Sequence, residues 1–164
     1  SFKNAALLHD NFKILLKKTL KSKSNRLKTR EKIEIESHPD MMAELTELFD
    51  FFANERSILQ HHHENYDGSG YPVGLKGNEI PLGARIFAIV DAMVAMSSER
   101  SFRKNLSPED MIREFADSAG IQFDPKLVLM FFDILKTQGL LSVSEAVLTK
   151  AKKKVQKTMV KCCS

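Results

Sequence analysis

HHHENYDGSGYPVGLKGNEIPLGARIFAIVDAM, residues 61–93, decides how this chain is read. Three consecutive imidazoles, His61, His62 and His63, close a segment in which Ile58 and Leu59 bring apolar surface at helical spacing. Residues 67–83 then hold Gly68, Gly70, Gly74, Gly77 and Gly83, five of the seven glycines, together with Pro72 and Pro81. Residues that favour turns at this density predict a long ordered loop or lid. Ala84 to Met96 is apolar on nearly every side, the pattern of a central buried helix, yet it contains Asp91. A buried acid needs a partner, because an unpaired carboxylate in apolar surroundings costs several kcal/mol.

Upstream, Phe2 to Leu16 places apolar residues at helical spacing, and Lys17 to Lys28 breaks into a basic loop without periodicity. A helix resumes with Thr29 as N-cap and ends or kinks at Pro39, after His38. Met41, Leu45, Leu48, Phe49 and Phe52 share one face of the next helix. Downstream, Ser107-Pro108-Glu109-Asp110 predicts an N-cap with proline at the first helical position, for a helix through Phe115. Asp124-Pro125 starts another, with Leu127, Val128, Phe131 and Leu135 on its packed face. Ser144 to Met159 is a last Lys-rich helix, docked or free. No alternating strand pattern, hairpin or repeat interrupts this series, so the fold is all-α.

The chain has 164 residues and 43% hydrophobic residues, enough for one domain with a real core. Its net charge of +4 hides a segregation. Residues 11–32 carry nine positive side chains and only Glu31 as an acid, residues 149–164 carry six lysines and no acid, and 33–148 hold nine positives against 19 acids. No apolar run approaches the roughly 18–20 residues of a spanning helix, and the first 30 residues lack a signal-peptide pattern. The only cysteines, adjacent Cys162 and Cys163, close no useful loop, which fits a reducing cytoplasm, and Lys161 stands where prenylation needs cysteine. A start at Ser1, already inside an apolar run, is expected of a fragment whose upstream part is missing.

All five histidines fall within residues 9–63: His9 beside Asp10, His38, and His61 to His63 followed by Glu64. Imidazoles with carboxylates suit first-row transition metals. Taken singly, each has a bland reading: Asp10 pairs with Lys13 or Lys17 one turn on, and Asp91 pairs with Arg85 or Arg100. Taken together, three helical segments and the helix of Asp91 bring ligands to the edges of apolar stripes, and one metal cluster satisfies them all.

Residues 61–93 resemble the signature of HD-GYP domains, the cyclic di-GMP phosphodiesterase branch of the HD metal-dependent phosphohydrolases. The resemblance extends to AALLHD (5–10) with Lys13, to His38-Pro39, to ERSFRK (99–104) and to FDP (123–125). It implies an HD-domain helical bundle over residues 1–140, shortened at its N-terminus, with 141–164 as a basic C-terminal helix or tail. Carried over residue by residue, it implies that His9, Asp10, His38, His62, His63 and Asp91 ligate two or three divalent ions, iron or manganese. Asp10 and Lys13 are the implied catalytic residues. Lys13, Arg100 and Arg103 would grip phosphates and guanines, and Gly70-Tyr71-Pro72 would shape the lip of the substrate groove. His61 is expected on the helix surface. The implied activity is metal-assisted hydrolysis of cyclic di-GMP to the linear dinucleotide or GMP, in bacterial cytoplasm and under an upstream sensor or receiver domain or partner protein.

The dyad continues Asn11-Phe12-Lys13 where the family continues Ile-Gly-Lys, Val94 replaces a second acid, and the upstream His and Glu ligands of the family find only eight residues before the dyad. These departures define the alternative, a catalytically degenerate module that binds metal or cyclic dinucleotide and acts through a partner. A third reading assigns the Lys-rich flanks to an acidic partner, membrane or nucleic acid; the absence of interleaved aromatics argues against single-stranded nucleic acid.

Overall fold

A computed structural model describes residues 29–47, 53–98, 105–140 and 142–162. These form seven α-helices: α1 Thr29–Glu36, α2 His38–Glu47, α3 Ala53–His61, α4 Leu82–Ser97, α5 Pro108–Ser118, α6 Pro125–Thr137 and α7 Glu145–Cys162, with a 3₁₀ turn at Gly77–Glu79. Among the described residues the only β-pairing is an isolated bridge between Ala119 and Phe123, so the all-α expectation holds. No described helix is long and apolar enough to cross a membrane. The expected helix over 2–16 lies outside the described residues.

Capping chemistry sets the later helices. The Ser107 hydroxyl accepts from the Asp110 N–H at 3.1 Å with Pro108 in the first turn, and Asp124 accepts from the Lys126 N–H at 2.8 Å with Pro125 behind it. The apolar faces these starts aim inward, Met111, Ile112, Phe115 and Ala116 of α5 and Val128, Phe132 and Leu135 of α6, merge into one core with Phe123 and Ile89. Helix α7 joins that core through Leu148, Ala151 and Val155, at i, i+3 and i+7. Of the two states open to the last helix, the docked one is observed.

Pro39 does not simply end a helix. A single turn residue, Ser37, separates α1 from α2, and Pro39 sits in the first turn of α2, where its missing N–H loses no bond. Helix α2 packs on α3, and α3 on α4. Ala43 and Thr46 are buried on α2, whereas Met41, expected on the packed face, is exposed; Leu48, Phe49 and Phe52 of that expected face lie outside the described residues.

Helix α4 is not covered all round. Ile89 enters the core, Ala88, Asp91, Ala92 and Ala95 face a cavity, and Leu82, Val90 and Val94 are exposed. Apolarity on every side reflects three different surroundings rather than complete burial.

Candidate metal centre

Helix packing brings His38, at the start of α2, against His62 and His63, just past the end of α3. One ring nitrogen from each lies within 4.8 Å of the others. That span is close to the roughly 4.2 Å between two ligands on opposite sides of an ion at about 2.1 Å each. The His38 Nδ1 lies 2.6 Å from the Ile35 carbonyl and the His62 Nδ1 lies 2.8 Å from the Leu59 carbonyl. A carbonyl only accepts, so each Nδ1 carries the proton and each neutral ring offers the lone pair of Nε2. The His38 Nε2 is 3.1 Å from the His63 Nε2. At that distance one ring donates to the other, so with the lone pair on His38 the proton lies on His63; a cation that displaces this proton would find converging imidazole nitrogens, and the donor set fits a divalent transition metal.

The imidazoles of His62 and His63 form part of the wall of a cavity of about 660 Å³, which is also lined by Glu36, Glu64, Gly70, Tyr71, Asp91, Glu114 and Gln122. Such a volume suits a small-molecule ligand, for which pockets run about 300–1,000 Å³. Alanines at 88, 92 and 95 on α4 leave this space open beside Asp91. Arg85 does not pair with Asp91. Its Nη1 donates to Asp124 Oδ2 and to Asn78 Oδ1, both at 2.8 Å, tying α4 to the start of α6 and to the glycine-rich loop. Val94 is exposed and forms no part of the cavity wall, so the acid it replaces has no place among these ligands.

The loop 64–80 is held over the centre by a carboxylate. Glu64 is fully buried and accepts from the N–H groups of Val73, Gly74 and Leu75 in four contacts of 2.9–3.2 Å. Charge-assisted bonds of this kind are about twice as strong as neutral ones. Tyr71 lies on His63, ring centroids 5.0 Å apart and nearly parallel, and its N–H donates to the His63 carbonyl at 3.2 Å. Gly70 is required by close approach: a Cβ there would fall 2.2 Å from the Asn65 nitrogen and 2.6 Å from the Glu64 backbone. Pro72 follows a cis Tyr71–Pro72 bond. Asp67 accepts from the Ser69 N–H at 2.9 Å, and bonding from the Ser69 side chain and then its backbone holds the Asp67 carboxyl below the usual carboxylate range.

Of the residues singled out in the sequence, His38, His62 and His63 come together, and Asp91, Gly70 and Tyr71 share the cavity lined by His62 and His63. His9, Asp10, Lys13, Arg100 and Arg103 lie outside the described residues. His61 is not the surface residue expected; it is mostly buried, its Nδ1 3.7 Å from Glu64. Sequence reasoning missed Glu64, whose signal was adjacency to the imidazoles, and Glu36, Glu114 and Gln122, which carry no local signal.

A helical bundle with clustered imidazoles under a Gly-Tyr-Pro loop defines the class, and a family model described as HD domain matches residues 2–127. The chain belongs to the HD domain family. Among its relatives, the 3'3'-cGAMP-specific phosphodiesterase 2 of Vibrio cholerae is 32% identical over 133 residues, covering 80% of this chain and 26% of that protein. The cyclic di-GMP phosphodiesterase response regulator RpfG of Xanthomonas campestris pv. campestris is 36% identical over 126 residues, 76% of this chain and 33% of that protein. The chain thus spans a quarter to a third of these relatives. The crystal structure of a cyclic GMP-AMP specific phosphodiesterase of V. cholerae superposes with a TM-score of 0.56 at 19% identity, covering 96% of this chain and 42% of that one, which shows a shared fold.

Proposed function

We propose that this chain is the HD-GYP portion, over residues 1–140, of a metal-dependent phosphodiesterase that hydrolyses cyclic di-GMP to the linear dinucleotide or GMP in bacterial second-messenger signalling, with 141–164 as a basic C-terminal appendage. The observation that carries this reading is the convergence of His38, His62 and His63, two of which, His62 and His63, line a cavity shared with Asp91 and Tyr71. The names of the relatives support the substrate class, and they include both cyclic di-GMP and 3'3'-cGAMP.

In this proposal His9, Asp10, His38, His62, His63 and Asp91 hold two or three divalent ions, iron or manganese. When bound, such ions acidify water and polarise the phosphodiester. The chain's own residues do the rest. The Ile35 and Leu59 carbonyls fix the tautomers of His38 and His62. Tyr71 covers His63 and restricts access of bulk water. Glu64 holds the loop so that Gly70, Tyr71 and Pro72 keep the shape of the groove. Lys13, Arg100 and Arg103 offset charge on the phosphoryl oxygens, and an upstream sensor or receiver domain, or a partner protein, supplies regulation in the cytoplasm.

The second reading, a non-catalytic module that binds metal or cyclic dinucleotide, is favoured by one observation, Asn11-Phe12 after the dyad. Anaerobic elemental analysis with cyclic di-GMP turnover on the same sample separates the two. Two or more equivalents of iron or manganese with turnover support the hydrolase; a folded chain that binds the nucleotide without turning it over supports the module.

A further inference from the structure

The cavity has a wall that the metal reading does not use. Glu114, on α5, and Gln122, on the turn between α5 and α6, both line it; both are exposed, and neither side chain has a hydrogen-bond or ion-pair partner among the described residues. The other carboxylates of the cavity are engaged: Glu64 by three loop N–H groups, and Glu36 and Asp91 in contacts of their own. Gln122 is also firmly placed. Its carbonyl accepts from the Tyr66 N–H at 3.2 Å, its N–H donates to the Ser118 carbonyl at 2.9 Å, and the neighbouring Ile121 carbonyl accepts from the Asp67 N–H at 2.9 Å. The turn that carries Gln122 is therefore locked to the loop beside the imidazoles.

A carboxylate in a cavity for a ligand with two phosphodiester charges is repulsive unless it meets hydrogen-bond donors. Guanine supplies them: N1–H and N2–H₂ lie side by side on one base edge, matched to the two oxygens of a carboxylate that can only accept. The carbonyl O6 beside them accepts, and a carboxamide N–H₂ such as that of Gln122 donates. Adenine presents the acceptor N1 where guanine presents a donor, so a carboxylate facing it would oppose lone pair to lone pair.

Resting on the reading of the cavity as a cyclic dinucleotide site, we infer that Glu114 and Gln122 read the Watson–Crick edge of one guanine and set the base specificity of the chain. The pair selects guanine over adenine at one of the two base positions. It therefore accepts cyclic di-GMP, and also a mixed guanine–adenine dinucleotide in one orientation, while rejecting cyclic di-AMP. A bidentate base contact discriminates by about tenfold or more.

The test is calorimetric titration of cyclic di-GMP and cyclic di-AMP into the full, Mn²⁺-loaded chain and into its Glu114→Gln and Gln122→Ala variants. The unmodified chain is expected to hold cyclic di-GMP at least about tenfold tighter. Glu114→Gln should weaken cyclic di-GMP by about tenfold without weakening cyclic di-AMP, because an amide N–H can meet adenine N1; Gln122→Ala should weaken cyclic di-GMP by a smaller factor. Equal losses on both ligands, an unchanged ratio, or no binding of either ligand by the unmodified chain overturns the inference. Hydrolysis of bis(p-nitrophenyl) phosphate by the unmodified chain tests the hydrolase separately. Guanine-selective binding without diester hydrolysis leaves the base-reading pair standing and removes the hydrolase, and hydrolysis without base preference does the reverse.

Discussion

Among the described residues, two regions of the molecule bury different sets of side chains. From α5 onward the buried residues among those described are apolar, Phe115, Phe123, Phe132, Val128 and Val155 among them, apart from Asp124, a helix cap paired with Arg85. Between residues 38 and 64 the buried set includes His38, Thr46, Glu55, His62 and Glu64. Burying a Phe or Leu stabilises by roughly 1.5–3 kcal/mol, whereas a buried polar group at best offsets its own desolvation through its hydrogen bonds. The described apolar core thus lies mainly in the C-terminal helices, whereas the α2–α3 region with its loop commits much of its burial to polar side chains.

Substitutions can break or sharpen this contrast. Phe132→Ala should cost about 3–5 kcal/mol in urea unfolding, since it empties a fully buried position in the apolar region. Glu64→Ala should come next, at about 2–3 kcal/mol, because it strands three loop N–H groups in a place built around a carboxylate. His62→Ala should lower metal affinity by at least about 10–100-fold, read by elemental analysis after dialysis, with a smaller shift in the metal-free urea midpoint than Phe132→Ala. A larger midpoint shift for His62→Ala would falsify the division of labour. Ser107→Ala, which removes only a cap, should cost about 1 kcal/mol. The smallest effect belongs to Asp67. Its folded pKa is depressed, so the Ser69 bond contributes fully above the usual carboxylate range and is lost as pH falls through the lowered pKa. Hydrogen exchange at the Ser69 and Gly70 amides should therefore quicken only in acid, and Asp67→Asn should remove that pH dependence.

What the sequence disclosed follows from the range of the forces involved. The caps at Ser107 and Asp124 act within three residues, and the proline and glycine loop is a property of local backbone freedom, so both were legible. The grouping of His38 with His62 and His63, 24 and 25 positions apart, was suggested by ligand types recurring at the edges of apolar stripes, and the resemblance named each residue as a ligand. The bland reading of Asp91 left Arg85 or Arg100 as its partner; Arg85 is instead held by Asp124, 39 positions away, a pairing that local spacing does not encode. Similarly, the apolar pattern of α4 showed that the helix had no polar face, but could not show that α3 and α6 cover only part of it, leaving Val90 and Val94 exposed. Met41 fell off the packed face of α2 for the same reason. Glu114 and Gln122 reach the cavity through the angle at which α5 and its turn meet the loop, and no short-range pattern encodes that angle.

The stacking of Tyr71 on His63 also makes the site optically addressable. The chain contains no tryptophan and only two tyrosines, Tyr66 and Tyr71, both in the loop beside the imidazoles. Its entire tyrosine emission therefore originates within a few residues of the candidate metal centre. A paramagnetic ion entering there would quench that emission, so loading could be followed in real time on the unlabelled protein, with Tyr71→Phe reducing the signal to the contribution of Tyr66.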